Sequence, residues 1–405
     1  MAGKRLWRAG VMLAVLAISL ISAGCWDLRE LQDRNFVMAI GIDDAAAGEK
    51  KPEEQARERA ETFVQSQGKK QYRVGFQIFK FAPTSGQGEQ SPSPAKTFVY
   101  SNTGSSIIEM IRDTLGQSSK PLYFEHLQTI ILSEAVVRKN GLNPLLDLFR
   151  RDSEMRWRIR LLVTPGEARP LLEYNPPTGE PGGRYFVGII NTHRKNLHIP
   201  GAKTDLGFAS QALANQDDVM IPRVEMTGKT VKIGGAALFK KDQFVGFVDE
   251  YTVRGMKFIY GTEKSAAIPV ECPEHPGEVF VYELFDHQTK LTSHIEGDQI
   301  YYSLDIFMQG NLAEVQCSSM HPSDSPELLR QAEAMFAQEV EKNAVATMKT
   351  LQGMGVDPLR FKDLLKGEHP KEWEQIKDRW EEMYPQIPLQ VSVKVNIRQL
   401  GELRH

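Results

Sequence analysis

The chain has 405 residues, which is too long for one compact core and predicts two or three domains. Its hydrophobic content of 41% and charged content of 25% are typical of a soluble globular protein. The formal net charge of −3, without any basic stripe along the sequence, argues against nucleic acid as a partner.

The first 24 residues predict an export signal. Three basic residues, Lys4, Arg5 and Arg8, precede an apolar run over 9–21, which is the pattern of a signal peptide. As a helix this run would rise only about 20 Å, whereas the hydrocarbon core of a bilayer is about 30 Å thick. The run is therefore too short to span a membrane, and no other stretch approaches the length and hydrophobicity of a span.

A lipoprotein box, Ser22-Ala23-Gly24-Cys25, follows the apolar run. Its small residues leave the backbone accessible to a peptidase, and the thiol of Cys25 can be alkylated by a lipid. We therefore predict cleavage between Gly24 and Cys25, with a diacylglyceryl cysteine as the new N-terminus. The box departs from the usual pattern at Ser22, where leucine is usual. An ordinary secretory signal with a chance cysteine is the alternative.

Residues 25–200 predict a mixed α/β domain, in which helices pack on a sheet. Predicted strands cover 36–42, 72–81, 127–132 and 157–163, and predicted helices cover 107–115 (with Thr103 or Ser105 as its N-cap), 135–139 and 145–150. Two polar stretches interrupt this order. Residues 45–70 predict an extended loop with an exposed helix over 53–63, and residues 83–96 have the composition of a flexible insertion.

Residues 201–266 predict a smaller middle domain, made of a bridging helix and a β-hairpin. Leu206, Ala209 and Leu213 recur at helical spacing, and two strands over 230–239 and 244–248 form the hairpin. The pair Gly234-Gly235 inside the first of these strands predicts a bulge or the close approach of a helix.

Residues 267–405 predict a C-terminal domain with an antiparallel sheet and a long helix. Predicted strands cover 279–285, 291–295, 299–308 and 312–317, and the long amphipathic helix, a tryptophan-bearing helix and a last strand over 389–397 follow. Apolar and polar residues alternate in the last strand, so one of its faces is expected to be buried. The predicted fold class is therefore α+β, with mixed and antiparallel sheets flanked by helices.

Two cysteines, Cys272 and Cys317, remain once Cys25 is lipidated. In an exported protein they could form a disulfide that closes a long loop, and two half-buried thiols are the alternative. The stretch Cys272-Pro-Glu-His275 has the spacing of metal ligands, but no second pair with matching spacing accompanies it. We therefore predict a surface turn there, and no metal.

The sequence contains no nucleophile elbow, no glycine loop for phosphate and no helix with two metal-binding histidines. This predicts a protein that is not an enzyme and that needs no cofactor. Charged residues crowd positions 150–158, among them Arg151, Glu154 and Arg156. Such a cluster is usually a solvated face with weak ion pairs, and a surface that docks a partner is the alternative.

Several motifs, taken in order, carry a resemblance to one family. They are Gly24-Cys25-Trp26-Asp27, Gly41-Ile42-Asp43 at the end of the first strand, the cluster Arg151–Arg156, Gly234–Lys240 in the hairpin, and Trp373, Trp380 and Gly401 near the C-terminus. With these motifs the chain resembles the C-subunit lipoproteins of spore germinant receptors, the Ger(x)C type. The resemblance extends over nearly the whole mature chain.

The resemblance implies a non-enzymatic, three-domain α+β lipoprotein on the outer face of the cell or spore inner membrane. It also implies two polytopic partners, the A- and B-type subunits of a nutrient-sensing germinant receptor, and no cofactor. The leading alternative is a solute-binding lipoprotein that feeds a membrane transporter. That class requires two similar α/β lobes around a cleft, which the predicted antiparallel C-terminal domain fits badly. An envelope hydrolase is a weaker alternative, because the sequence has no active-site pattern.

Overall fold

The computed structural model describes residues 33–45, 70–80, 97–201, 203–261, 265–297, 299–317 and 325–399, with four isolated positions before residue 13. The predicted signal peptide and lipoprotein box, including Gly24 and Cys25, lie outside these ranges. So do the helix predicted over 53–63 and nearly all of the polar stretches over 45–70 and 83–96.

Strands and helices are interspersed along the described chain. The strands are β1 (Asn35–Asp44), β2 (Tyr72–Phe79), β3 (Thr97–Gly104), β4 (Leu122–Tyr123), β5 (Thr129–Ser133), β6 (Arg160–Thr164), β7 (Val219–Thr227), β8 (Thr230–Lys240), β9 (Gln243–Val248), β10 (Ala266–Glu271), β11 (Val279–Glu296), β12 (Gln299–Val315) and β13 (Leu389–Gln399). The helices are α1 (Ile107–Asp113), α2 (Glu134–Asn140), α3 (Asn143–Arg151), α4 (Arg169–Glu173), α5 (Gly182–Asn191), α6 (Leu206–Ala214), α7 (Glu250–Tyr260), α8 (Pro326–Gly353), α9 (Phe361–Glu368), α10 (Pro370–Ile376) and α11 (Trp380–Met383).

Nine described strands form the first sheet, in the order β3-β2-β1-β5-β6-β7-β8-β9, with β4 paired to β1. The central strands β1, β5 and β6 are parallel to one another. Both faces of this part of the sheet are covered, by α2, α3 and α6 on one side and by α4 and α5 on the other. Because both faces are buried, the central strands are continuous apolar runs, as is typical of parallel sheets.

Four described strands form the second sheet, in the order β10-β11-β12-β13. Each of the long strands β11 and β12 replaces two shorter strands of the sequence prediction. The last strand, β13, runs parallel to β12, so the expectation of an antiparallel C-terminal sheet is wrong at this edge. The reason is the crossover through α8 to α11, which returns the chain to the end of the sheet where β12 begins.

Strand β8 joins the two cores. Its residues Ala237 and Phe239 pack into the core of the first sheet, whereas Ala236 and Leu238 pack into the core of the second. This follows from the alternation of side chains along a strand that is buried on both faces. The predicted hairpin is confirmed as β8 and β9, and β7, which pairs with β8, connects it to β6 through one residue pair, Val163 with Arg223. The division into domains at 200 and 266 stays a prediction.

The pair Gly234-Gly235 marks the close approach of a helix, as predicted. A Cβ atom on Gly234 would overlap the side chain of Glu250, in the first turn of α7. Gly235 has a φ of +74°, which only glycine adopts without strain. These two glycines therefore allow α7 to start directly above β8 and to connect the sheets.

Candidate docking surface and junction cavity

Helix α3 carries the first part of the predicted charge cluster. Its apolar side packs into the core through Leu145, Leu146 and Phe149, so its charged side faces solvent. Arg151 is 76% exposed, and its Nε donates to the two carboxylate oxygens of Asp147 at 3.0 and 2.9 Å. This hydrogen bond lowers the pKa of Asp147. An exposed pair contributes little to stability, so Arg151 can exchange it for a partner's carboxylate.

Glu154, another residue of the cluster, is held by hydrogen bonds that involve the backbone. Its Oε2 accepts a hydrogen bond from the N–H of Phe124 at 3.2 Å, and its own N–H donates to Oδ1 of Asp152 at 2.8 Å. The side chain is half-buried. Glu154 therefore supports the turn that follows α3, whereas the other two predicted docking residues, Arg151 and Arg156, are exposed.

Residues 156–158 form an exposed turn, although the sequence predicts a strand from Trp157. The strand β6 begins only at Arg160, because the preceding backbone is bound to the start of α6. The N–H of Gly207 donates to the carbonyl of Trp157 at 2.8 Å, and a neighbouring bond of the same length joins Leu206 to Ile159. As a result the indole of Trp157 is 56% exposed.

Trp157 therefore lies in the turn between Arg156 and Arg158, which are both exposed. We call Arg151, Arg156, Trp157 and Arg158 the docking surface. Tryptophan and arginine are the residue types that dominate the binding energy of protein interfaces. Sequence reasoning missed the exposure of Trp157, because a strand would have directed its side chain to the core. The available signal was a tryptophan between two arginines.

A groove of about 830 Å³ lies next to the docking surface, and Asp152 and Glu154 form part of its lining. Its apolar residues include Ile108 and Leu115, which are 43% and 46% exposed. At its other end is Arg34, whose guanidinium lies 4.2 Å from the ring centroid of Tyr123. Since Arg34 directly precedes β1, the groove lies where the chain arrives from the predicted lipidation site.

A second cavity, of about 410 Å³, lies between α7, the start of β7 and the segment 193–203. We call it the junction cavity. Most of its lining is apolar, including Phe208, Met220 and Met256. Its cationic lining includes Lys257, which is 3% exposed and whose Nζ donates to the carbonyls of His193 and Asn196 at 2.6 and 2.9 Å.

The histidine at the rim of the junction cavity is held neutral. Burial, together with the nearby cations Lys257, Arg194 and Arg160, lowers the pKa of His193 to about 4. Its Nδ1 is buried without a hydrogen-bond partner. The cavity can therefore enclose a small molecule with an apolar body, but its geometry offers no nucleophile paired with a base.

A partly buried ionic network joins the start of β7 to the segment between α8 and α9, beside the cavity. Just before β7, Asp217 accepts from Arg360 at 3.1 Å and from Lys362 at 2.6 Å. Its neighbour Asp218 accepts from the backbone N–H of Asp357 at 2.7 Å. The first sheet and the segment between α8 and α9 are therefore fixed relative to each other by charge-assisted hydrogen bonds.

Comparison with known proteins identifies the family to which the chain belongs. Residues 27–226 match the family described as "Spore germination protein N-terminal domain", and residues 234–401 match "Spore germination B3/ GerAC like, C-terminal". The chain belongs to the spore germination C-subunit family. The members of this family are non-enzymatic subunits of germination receptors.

Relatives of the family match along nearly their full length. Spore germination protein B3 of Bacillus subtilis (strain 168) is 24% identical over 389 residues, which cover 94% of this chain and 95% of the relative. Spore germination protein KC of the same organism is 24% identical and covers 96% of both chains. The crystal structure of the GerBC protein has a TM-score of 0.58 and 21% identity, and it covers 92% of this chain and 100% of its own. The fold is therefore GerBC-like.

In this family member, no helix of the described residues is long and apolar enough to cross a membrane. The anchor that we predict at Cys25 lies outside the described residues, and it stays a prediction. The two remaining cysteines lie close together. Cys272 directly follows β10 and Cys317 follows β12, with their sulfur atoms at the bonding distance of a disulfide and their Cα atoms 6.0 Å apart.

Proposed function

We propose that this chain is a lipid-anchored subunit of a nutrient germinant receptor, acting on the outer face of the cell or spore inner membrane. In this proposal it works by assembly with two polytopic subunits of the A and B type. The observation that carries the proposal is the match to the family's two models from residue 27 to residue 401. An export signal and a lipoprotein box directly precede that region.

The short distance between anchor and fold favours function through assembly. From Cys25 to the start of β1 at Asn35 is a stretch of about ten residues, which reaches at most about 35 Å when extended. The first sheet is therefore held close to the bilayer, where membrane-embedded partners are present at a high effective concentration. Weak contacts at the docking surface suffice under these conditions.

The docking surface suits an acidic or aromatic patch on a partner. Its arginines present fork-shaped donors that pair with carboxylates, and Trp157 supplies a large apolar area. The neighbouring groove adds exposed apolar side chains, Ile108 and Leu115, beside Arg34. We infer that this side of the first sheet faces the polytopic subunits.

Replacement of the lipidated cysteine tests the anchor. Cys25→Ala should abolish partitioning into the detergent phase and remove the mass of the lipid, because two acyl chains hold a protein on a membrane and a chain without them is held only through partners. Ser22→Leu, which places the usual leucine in the box, is the control and should partition like the wild type. A Cys25→Ala variant that still carries the lipid mass would refute the anchor.

A triple variant tests the docking surface in spores. Arg151→Glu, Arg156→Glu and Trp157→Ala together should weaken binding to the polytopic subunits more than tenfold and slow the germination response, because each hot-spot residue is worth about 2 kcal/mol. The control is Arg184→Glu with Arg330→Glu, two arginines that are 73% and 67% exposed elsewhere. If the triple variant still co-purifies with its partners, docking lies elsewhere, and the exposed Lys394 and Arg398 of β13 are the next candidates.

The junction cavity supports testing a second function, delivery of a small solute to a transporter. Titration of the purified chain with amino acids and sugars by calorimetry should then show saturable heat. Met220→Trp, which places an indole in the cavity, should remove that heat, whereas a substitution of exposed Met226 should not. Absence of saturable binding to the wild type would leave assembly as the function.

A further inference from the structure

The turn between β10 and β11 and the end of β12 bring together four side chains of metal-binding types. They are Cys272, His275, Glu278 and Cys317, which we call the quartet. Three of them recur at every third position of the turn, and the fourth comes from a position 45 residues after the first. The sequence shows no partner for Cys272 and His275 at matching spacing. The structure supplies it from the end of the neighbouring strand β12, as Cys317.

The backbone around the quartet is fixed by hydrogen bonds. The N–H of Cys272 donates to the carbonyl of Glu278 at 2.8 Å, and the N–H of Glu278 donates to the carbonyl of His275 at 3.1 Å. The end of β12 is held in place by a bond of 3.0 Å from Gln316 to Val279. The four side chains are therefore carried by a turn and a strand end whose positions are set before any ligand binds.

Apart from the two sulfur atoms, which lie at disulfide-bonding distance, the separations of the ligand atoms are close to those in a four-coordinate metal site. The Nδ1 atom of His275 lies 3.7 Å from Sγ of Cys317, 4.0 Å from Sγ of Cys272 and 3.7 Å from Oε2 of Glu278. All four ligand atoms lie within 4.8 Å of one another. A tetrahedral zinc, with bonds of about 2.0 to 2.3 Å, separates its ligands by about 3.3 to 3.8 Å.

The ligand types favour zinc over other divalent metals. Two thiolates and an imidazole suit a borderline-soft ion, whereas Mg²⁺ and Ca²⁺ prefer oxygen ligands alone. Cys272 and Cys317 are 2% and 3% exposed, and the other two ligands are half-buried. Four protein ligands leave no open coordination position, which is the mark of a structural site and not of a catalytic one.

We propose that the quartet binds one Zn²⁺ as a structural site, in place of a disulfide between its two cysteines. A disulfide uses only the sulfur atoms, whereas the imidazole of His275 lies within 4.0 Å of both of them and 3.7 Å from the carboxylate of Glu278. Zinc uses all four side chains. Its binding releases the two thiol protons and requires the sulfurs to separate to about 3.8 Å, which rotation of the two side chains supplies.

The metal content of the chain tests this proposal directly. Full-length chain purified from membranes in detergent, without chelator, should contain one zinc per chain by mass spectrometry. After reduction and removal of metal it should bind one Co²⁺, with thiolate-to-cobalt absorption in the near ultraviolet and intense tetrahedral bands in the red. Added Zn²⁺ should displace the cobalt, because zinc binds such sites more tightly.

Substitutions separate the quartet from a chance pair of thiols. His275→Gln and Glu278→Gln should each weaken Zn²⁺ binding at least about 100-fold, because each removes a direct ligand from a half-exposed turn. Glu274→Gln is the matched control, since Glu274 is exposed in the same turn and is not part of the quartet. Circular dichroism of each variant checks that the fold is kept.

Three results would overturn the proposal. The first is native chain with a quantitative disulfide between Cys272 and Cys317 and no zinc. The second is reduced, folded chain that takes up no Co²⁺. The third is Zn²⁺ affinity that His275→Gln leaves unchanged, because the thiols alone would then account for binding.

Discussion

The two sheets of this protein are stabilised in different ways. In the first sheet, β1, β5 and β6 are covered by helices on both faces, and apolar side chains make most of the contact, with single buried bonds such as that from Thr129 Oγ1 to the carbonyl of Gly183. Where α7 meets α8 above the second sheet, buried polar groups make the contact: Arg254 donates from Nε to Oδ1 of Asn343 at 3.0 Å and pairs with Glu339. The packing of the first region therefore rests mainly on buried apolar area, whereas the contact between α7 and α8 in the second depends on complete sets of hydrogen-bond partners.

This difference distinguishes residues that stabilise the fold from residues that we propose to bind a partner. In the first region, the charged groups of the docking surface lie outside the core, so partner binding can change without unfolding the sheet. In the second region, charged and polar groups lie inside the contact between elements, and they specify how α7 and α8 meet. Paired substitutions, one in each region, test this contrast.

The largest difference between the two regions is expected when one arginine in each is replaced by alanine. Arg254→Ala should lower the free energy of unfolding by about 3 to 5 kcal/mol, because it leaves Glu339 and Asn343 buried without their donor. Arg151→Ala in the first region should lower it by less than about 1 kcal/mol, because the pair with Asp147 is exposed. Urea denaturation of both variants measures the difference, and equal losses would remove the contrast.

Buried carboxyl groups give the next contrast, in the dependence of stability on pH. Burial, together with the nearby Asp218 carboxylate, raises the pKa of Asp357, beside the second sheet, to about 7. Burial also raises the pKa of Asp43, at the end of β1, to about 6, with Glu167 adding to the effect. Each folded-state pKa lies above the value of 3.8 that the group has when unfolded.

The sign of the effect follows from proton binding. Between pH 3.8 and the raised pKa, the folded chain holds a proton that the unfolded chain has lost, so stability falls as pH rises. The stabilisation is complete below pH 3.8. For Asp357 it is lost above pH about 7, and the loss amounts to about 4 kcal/mol. For Asp43 it is lost above pH about 6, and the loss amounts to about 3 kcal/mol. Asp357→Asn should abolish the loss between pH 6 and 7, whereas Asp43→Asn should leave that interval unchanged. Parallel curves for wild type and Asp357→Asn from pH 4 to 7 would contradict this assignment.

Sequence patterns predicted some strands of the first sheet and missed others. The apolar runs of β1, β5 and the hairpin β8–β9 were predictable because burial dictates their composition. Strand β3 was missed, since its sequence contains Ser101, Asn102 and Thr103. Asn102 is fully buried and donates to the carbonyl of Met110 and to Thr114 Oγ1, so α1 supplies the partners that make a polar strand tolerable.

Strand β7 was missed because Pro222 lies within it. A proline is excluded from most central strands by its missing N–H. Here β7 pairs with β6 only through Val163 and Arg223, and the register with β8 shifts just after Pro222, so the missing donor is not needed. The parallel direction of β13 and the exposure of Trp157 likewise depend on contacts with distant segments, which no local pattern encodes.

Glycines in helices give a smaller contrast. A Cβ atom on Gly255, in α7, would lie 2.8 Å from the carbonyl oxygen of Asn343 and would overlap Thr347, so Gly255→Ala should cost about 1 to 3 kcal/mol. Gly188, in α5 of the first region, has no atom near that position, and Gly188→Ala should stabilise the chain by up to about 1 kcal/mol. Thermal unfolding measures both changes. A neutral Gly255→Ala would mean that α7 and α8 can separate without loss.

The smallest contrast concerns the serines that begin two helices. Ser325 accepts from the N–H of Leu328 at 3.1 Å at the start of α8, whereas Ser106 accepts from the N–H of Glu109 at 3.5 Å at the start of α1. Our prediction of Thr103 or Ser105 as the N-cap of α1 was wrong, because the N-cap is Ser106. Replacement of a good N-cap by alanine costs about 1 kcal/mol, and a longer bond contributes less.

Ser325→Ala should therefore lower the free energy of unfolding by about 1 kcal/mol, and Ser106→Ala by about half of that. Restoring a cap with Ser325→Asp should recover the loss at α8, since aspartate accepts the same bond and its charge favours a helix N-terminus. Because α8 packs on both α7 and β13, fraying of its first turn should also raise hydrogen exchange in β13, whose Ile397 N–H donates to Glu333 of α8 at 2.9 Å. Unchanged exchange in β13 would show that the first turn of α8 opens without loosening the second sheet.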